Sequence, residues 1–431
     1  MSLLRLVFLK PPLSQYVPGG TMAFTVALSN DLGDNEALEK GEVPGLRIEV
    51  SLRRVGTVDW VAVGQVPLDA HVPVYSGQTV QVSVPRRLPQ GLYQVRLAHH
   101  SLSQVGPSPI LGAGASILRD APPLLLLPIV SEVFTLGHGA SKVQGIPTTH
   151  CYRELPWTMK GSTDPLILQE SCSDRTLGGR VWDASLVTLS FLRALFSEGR
   201  VISTAPPVPS GWAIDQLTDP GLWQRLYSVK AQTNHALMER VRIDLGIQSS
   251  PLKEPGSKEC GEQSRVIELG SGCGVVGLAL ARRLGPKGQV ILTDLDEVLE
   301  ETTRSNLSLQ AVPPLPEIAT LAWGDIQAAE RIQASLKGPV DLIIGSDIIY
   351  NAAYHHDLLH SLRALLPPGA WFLLGYKPRL PQEEGEFFRL IHAAGFRGSI
   401  IWSEGGLYTW AWKAPDPHGR SLTLPNGYLA S

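Results

Sequence analysis

Cysteine is scarce in this 431-residue chain. There are four, Cys151, Cys172, Cys260 and Cys273, and no two have the close spacing of a zinc site or a redox pair. Neither metal nor disulfide chemistry is expected. Long apolar runs are missing as well: the longest, residues 122–130, falls far short of the roughly 20 residues that cross a bilayer, and prolines interrupt it. No membrane partner is expected. The first residues carry no basic leader, and Leu4, Leu6 and Phe8 alternate as in a strand rather than a signal peptide. The expected compartment is reducing, the cytoplasm first and the nucleus second. A basic excess is also absent. Lysine and arginine number 11 against 10 acidic residues up to position 150 and 26 against 30 after it, for a net charge of −3. A nucleic-acid binder normally shows a clear basic excess, so that partner is not expected either. What is present is an ordinary globular composition, 43% hydrophobic and 18% charged, with 34 prolines and 42 glycines that announce many loops.

Residues 1–120 carry short apolar-alternating runs at 3–9, 22–28, 46–52, 58–66, 79–84 and 92–97, separated by turn residues such as Pro18-Gly19-Gly20 and Pro89-Gln90-Gly91. Period-two alternation with almost no helical periodicity predicts an all-β, sandwich-like accessory domain. Residues 121–163, rich in Pro and Gly, read as linker and loop. From 164 to 431 strand-like and helix-like segments alternate, the pattern of a parallel sheet covered by helices, with an insertion at about 199–262. Strands are predicted at 265–269, 289–293, 318–322, 340–346 and 370–376. The last two, 398–402 and 407–412, are joined by Ser403-Glu404-Gly405-Gly406. So tight a connection fits an antiparallel hairpin, which makes the last strand of the sheet a reversed one.

Four strand ends carry the chemistry. Glu268-Leu269-Gly270-Ser271-Gly272-Cys273-Gly274 lies between a strand and a helix, where glycines let backbone amides approach a ligand. Gly272, Gly274 and Gly277 also satisfy the dinucleotide pattern G-x-G-x-x-G, so the loop alone does not separate a pyrophosphate from a smaller carboxylate. Asp294 ends the next strand, where a carboxylate can accept from both hydroxyls of a ribose; the competing reading is an N-cap of the following helix. Trp323, in Ala322-Trp323-Gly324-Asp325, is placed to stack on adenine with Asp325 near its amino group, or else is a core or rim aromatic. In Ser346-Asp347-Ile348-Ile349-Tyr350 an acid and a phenol follow a buried strand and point into the cleft. A nicotinamide enzyme has no need of that pair there, whereas a methyl transferase must hold a nucleophile in line. The alternative is Asp347 as a cap and Tyr350 as core. His355, His356 and His360 are expected on an exposed helix face.

In this order, with Leu166 to Gln169 and Val181-Trp182-Asp183-Ala184-Ser185 before the series and Tyr376-Lys377-Pro378-Arg379 after it, the residues resemble methyltransferase family 16. These are seven-strand, class I methyltransferases dependent on S-adenosylmethionine (SAM) that act on lysines of chaperones, AAA ATPases and elongation factors. The resemblance implies a Rossmann-like seven-strand sheet and SAM as cofactor. It implies SAM contacts at Trp182, Gly270, Ser271, Gly272, Asp294, Trp323 and Ser346, with Asp347 and Tyr350 as the substrate-side catalytic pair. A protein lysine is the implied acceptor; a small amine, or an inactive module that only binds, would fit the same cleft. Free lysine is protonated at pH 7, and exposing its lone pair costs roughly 4.6 kcal/mol. A nearby carboxylate favours the ammonium form, so Asp347 is expected to orient the amine rather than to deprotonate it.

Overall fold

The computed structural model describes residues 2–13, 15–30, 46–57, 59–69, 72, 74, 76–99, 124–127, 129–137, 150–155, 157, 165–171, 177–196, 232–233, 235–245, 264–310, 313–404 and 407–416. The chain divides into two compact units, Met1–Arg180 and Val181–Ser431.

The first unit is built of strands, as the alternation predicts. One sheet orders Gln78–Ser83, Thr21–Ser29, Ser2–Lys10 and Leu124–Leu127 side by side. A second runs from Leu166–Ser171 through His150–Leu155, Ile129–Val130 and Gly91–His99 to Phe134–Leu136 and Gln15–Tyr16, with Arg47–Arg54 and Val61–Pro67 branching from it. Leu6, Phe24, Val26 and Val80 of the first share one core with Ile48, Val50, Val95, Leu97 and Phe134 of the second. Apolar faces of two sheets packed on each other make a sandwich.

The expected boundaries need correction here. Strands occupy part of the stretch 121–163 read as linker, and the opening strand Leu166–Ser171 pairs with His150–Leu155 in the first unit's sheet. The reason is chemical. The inward positions of these two strands include Arg153 and Glu170, buried against each other with Nε to Oε2 at 2.5 Å and with Arg5 at 3.7 Å from the same carboxylate. Charges at core positions erase the apolar alternation on which strand prediction rests. Most of the remainder of that stretch, most of the expected insertion and the turn residues Gly405 and Gly406 lie outside the described residues.

The second unit holds one sheet of strands β1 (Ser264–Leu269), β2 (Gly288–Asp294), β3 (Glu317–Thr320), β4 (Leu342–Ser346), β5 (Trp371–Tyr376), β6 (Arg397–Glu404) and β7 (Leu407–Lys413). The order is β6-β7-β5-β4-β1-β2-β3, parallel except for β7, which runs antiparallel to both β5 and β6. Gln232–Thr233, from the expected insertion, adds an eighth strand beside β6. The central strands β4 and β5 are buried throughout, as a parallel sheet covered on both faces requires.

Helices α1 (Asp183–Phe196), α2 (His235–Asp244) and α3 (Val275–Leu284) are followed by a helical run, α4 (296–308), and by α5 (Ile326–Ser335), α6 (His355–Leu365) and α7 (Pro381–Ala393). On α6, His355, Leu358, Leu359, Leu362 and Leu365 form the buried stripe, and with α5 and α7 they cover one face of the sheet. The insertion is tied down by Arg242, which donates to the carbonyls of Ala194 and Leu195 at the end of α1, and by Asp244, which receives Lys413 Nζ at 2.7 Å and Trp371 Nε1 at 3.1 Å. Chain order reverses between β1 and β4. That switch point, at the carboxyl ends of the strands, is where open α/β sheets place their ligands.

Candidate active site

The glycine loop leaves β1 at that switch point. Gly270 has a φ of +60°, and a Cβ there would lie 2.8 Å from Ile348 Cγ2, so the position excludes other residues on two counts. The loop is held from two sides. Ser271 N donates to Thr293 O at 3.0 Å, and Gly272 N to Asp294 Oδ2 at 2.8 Å. From α4, Thr303 Oγ1 donates to Gly272 O at 2.8 Å and Asn306 Nδ2 to Cys273 O at 3.0 Å; both side chains are fully buried. The run α4 contains a π-helical turn, Leu299–Thr303, which ends at the first of these two residues. Sequence reading missed both, since a threonine and an asparagine within a helix give no signal of what they will touch.

Gly277, third glycine of the dinucleotide pattern, has a different role. Its Cβ would fall 1.9 Å from Leu292 Cδ2, so it lets α3 pack onto β2. Its amide donates to Glu268 Oε2 at 2.8 Å, and the Val276 amide also faces that carboxyl. Glu268 is 2% exposed, and burial pushes it up to about 8 against the pull of the Gly277 amide. Two first-turn amides that would meet a pyrophosphate are thereby occupied by the protein's own side chain. The geometry disfavours the nicotinamide alternative.

Asp294 stands at the end of β2 with one backbone amide on each oxygen, Gly272 N on Oδ2 and Leu295 N on Oδ1, both at 2.8 Å. Burial raises its carboxyl above the ordinary range, the two amides oppose the rise, and Glu297 adds to it. It does not cap the following helix, whose N-cap is Leu295; Asp296 instead accepts from Thr320 Oγ1. Each Asp294 oxygen retains a lone pair for a further donor.

Trp323 follows β3 half-buried, with Cζ2 3.3 Å from where a Gly270 Cβ would be and an edge-on contact to Tyr354 at 6.5 Å between centroids. Asp325 follows it, and its Oδ1 accepts from Ala328 N at 2.9 Å and caps α5. Ser346, at the end of β4, lies 3.1 Å from Thr188 Oγ1 of α1. Thr188 gives its proton to Ala184 O at 2.8 Å, so Ser346 is the donor of the pair.

The catalytic pair expected after β4 is neither cap nor core. Asp347 has a φ of +62°, a left-handed conformation uncommon outside glycine that Asp tolerates better than most, and its amide donates to Gly375 O at 2.9 Å. Its carboxylate is 8% exposed and receives both Nη atoms of Arg379. Arg379 also lies over the Trp182 ring, Cζ 5.3 Å from the centroid, and the neighbouring Lys377 Nζ reaches Asp183 Oδ2 at 2.8 Å. The motifs around Trp182 and around Arg379, nearly 200 positions apart in sequence, thus converge on Asp347.

Tyr350 is 45% exposed. Its phenol is pushed up by partial burial first, with Asp294, Tyr354 and Asp347 adding to the rise. His355 corrects another expectation. It is 1% exposed, its Nε2 lies 2.9 Å from Ile349 O and its ring packs edge-on against Phe387, whereas His356 and His360 are exposed as read. Among the described residues no group of three His, Cys, Asp or Glu side chains is arranged to hold a metal ion.

Comparison with known proteins places this arrangement. The protein N-terminal and lysine N-methyltransferase EFM7 of Yarrowia lipolytica is 27% identical over 197 residues, covering 41% of this chain and 71% of that protein. EEF1A lysine methyltransferase 3 of Mus musculus is 35% identical over 129 residues, 30% of this chain and 51% of the relative. Protein N-lysine methyltransferase METTL21A of Mus musculus is 32% identical over 120 residues, 27% and 51% respectively. The similarity therefore spans about half the length of the two mouse proteins. A family model described as lysine methyltransferase matches residues 160–394. That is more than half of the chain, and the chain belongs to the lysine methyltransferase family.

Proposed function

We propose that the chain is a SAM-dependent N-methyltransferase whose acceptor is a lysine side chain of a protein. The observation that carries the reading is Asp294: a carboxylate fixed by two amides beside the glycine loop, with one lone pair left on each oxygen for the two hydroxyls of a ribose. The loop residues fit the same ligand. Ser271 Oγ is buried with no hydrogen-bond partner among the described residues, a polar atom suited to a ligand's polar group. Gly270, Gly272 and Trp323 supply close backbone approach and a flat apolar surface for a base. When bound, SAM supplies a sulfonium methyl, an electrophile for a neutral amine.

The remaining work falls to the chain's own side chains. Asp347 and Tyr350 stand on the β4 side of the switch point, where the carboxylate can accept from the amine's N–H and the phenol can wall the channel. Trp182 and Ser346 shape that side, one beneath Arg379 and the other against α1. Two of the relatives described above are named for translation elongation factors or for protein lysines in general. Elongation factor 1A is therefore the first acceptor to test, ahead of chaperones and AAA ATPases, and the cytoplasm is the proposed location.

Incubation of the purified chain with radiolabelled SAM and elongation factor 1A, or a cell lysate, should label a protein band on lysine. The Asp294→Ala variant should not. Label appearing only in a small amine would replace the acceptor class, and no label in either fraction would overturn the reading.

A further inference from the structure

Asp347 and Arg379 form the most tightly specified charge pair on the rim. Both guanidinium Nη atoms meet both carboxylate oxygens. Two further contacts fix the arginine: its guanidinium lies over Trp182, and its amide donates to Glu384 Oε2 at 3.0 Å, a carboxyl itself held by Tyr376 OH at 2.6 Å. Among the described residues, the other charged or titratable groups tied to this pair are Glu384, Tyr350, which feels Asp347 together with Asp294 and Tyr354, and the pair Lys377–Asp183. A bare carboxylate facing an acceptor amine would stabilise the ammonium, the form with no lone pair to give. A carboxylate closed by a bidentate fork belongs to a pair with no net charge, which pulls less strongly on a neighbouring ammonium.

We infer that Arg379 is a positioning residue for the acceptor: its fork fixes the Asp347 oxygens and offsets much of their charge, so the cleft orients an amine with a weaker pull toward ammonium than a bare carboxylate would exert. This rests on the N-methyl transfer proposed above. Lysine at the same position keeps the charge and loses the fork, whereas glutamine loses the charge.

The test uses Arg379→Gln, Arg379→Lys and the double variant Asp347→Asn/Arg379→Gln. The first readout needs no methyl transfer. The Tyr350 phenol is titrated by ultraviolet difference against Tyr350→Phe in each background. Loss of the guanidinium leaves Asp347 without that offset and should raise the Tyr350 titration by about one pH unit. Arg379→Lys and the double variant should bring it back toward the wild-type value. A Tyr350 titration unmoved in Arg379→Gln overturns the inference, and should that variant not fold, a titration in Arg379→Lys or in the double variant far from wild type does the same.

The second readout is the pH dependence of kcat/KM for label transfer from SAM to elongation factor 1A. Arg379→Gln should displace the profile to higher pH by about one unit, with Arg379→Lys lying near wild type. A structural strut would lower kcat in both variants without moving the profile, which would also overturn the inference. Wild-type protein that transfers no methyl group to protein counts against the functional reading, and the Tyr350 titration still decides the role of Arg379.

Discussion

The two units handle buried charge in opposite ways. In the sandwich, Glu170 meets Arg153 and Arg5 inside the core, charge against charge. On the rim of the second unit, Glu268 and Asp294 receive backbone amides, burial pushes both carboxyls up, and Ser271 Oγ has no hydrogen-bond partner among the described residues. Closed pairs add specificity to a fold, whereas polar groups held half-satisfied are what a ligand completes. Asp347 on that rim is closed in the manner of the sandwich, by Arg379, and under the proposed function the difference between it and Asp294 divides the acceptor side from the cofactor side.

The sharpest way to break this contrast is to open the charged set in the sandwich. Glu170→Gln leaves two buried guanidinium groups without their carboxylate and should cost about 3–5 kcal/mol in urea unfolding, with SAM affinity within about threefold of wild type. A loss of affinity as large as the loss of stability would erase the distinction between the units.

The next effect belongs to Glu268. Its folded-state value of about 8 lies above the ordinary carboxylate value of 4.5, so the folded chain holds a proton that the unfolded chain releases. Its contribution to stability is present in full below pH 4.5 and is lost as the pH rises to about 8. The unfolding free energy of wild type, measured in urea, should therefore fall between pH 5 and 8 relative to Glu268→Gln, by an amount on the order of a few kcal/mol. Parallel curves for the two proteins would remove the buried proton from the account.

Ser346→Ala gives the smallest effect. It removes one donor to Thr188 and should cost about 1 kcal/mol of stability, with SAM affinity within about threefold. A tenfold loss of affinity would instead make the Ser346 hydroxyl a direct ligand contact.

Much of this rim was legible in the sequence because each motif is local. A glycine run, an acid or a tryptophan directly after an apolar strand falls at the carboxyl edge of a parallel sheet by topology alone. Arg379 was visible as part of a motif but without a role, since its partners Asp347 and Trp182 lie 32 and 197 positions away. Thr303 and Asn306 gave no signal, because a helix pattern does not say which loop its polar face will hold. His150–Leu155 was read as loop because Arg153 stands where alternation calls for an apolar residue, and the carboxylate that makes this tolerable, Glu170, is on the next strand. His355 was placed on the surface for a related reason: its Nε2 is matched to the Ile349 carbonyl within the interior, which a pattern of polar and apolar letters does not encode.

The central claim is that the edge of the sheet around Asp294 holds an adenosine-bearing ligand through its ribose. Calorimetric titration of the whole chain with S-adenosylhomocysteine, the demethylated form of the donor, tests it directly. Wild type should bind with measurable heat, and Asp294→Ala, by losing two charge-assisted hydrogen bonds worth about 3 kcal/mol together, should bind on the order of 100-fold more weakly. Absence of heat with the folded wild type, or an unchanged Kd in the variant, would contradict it.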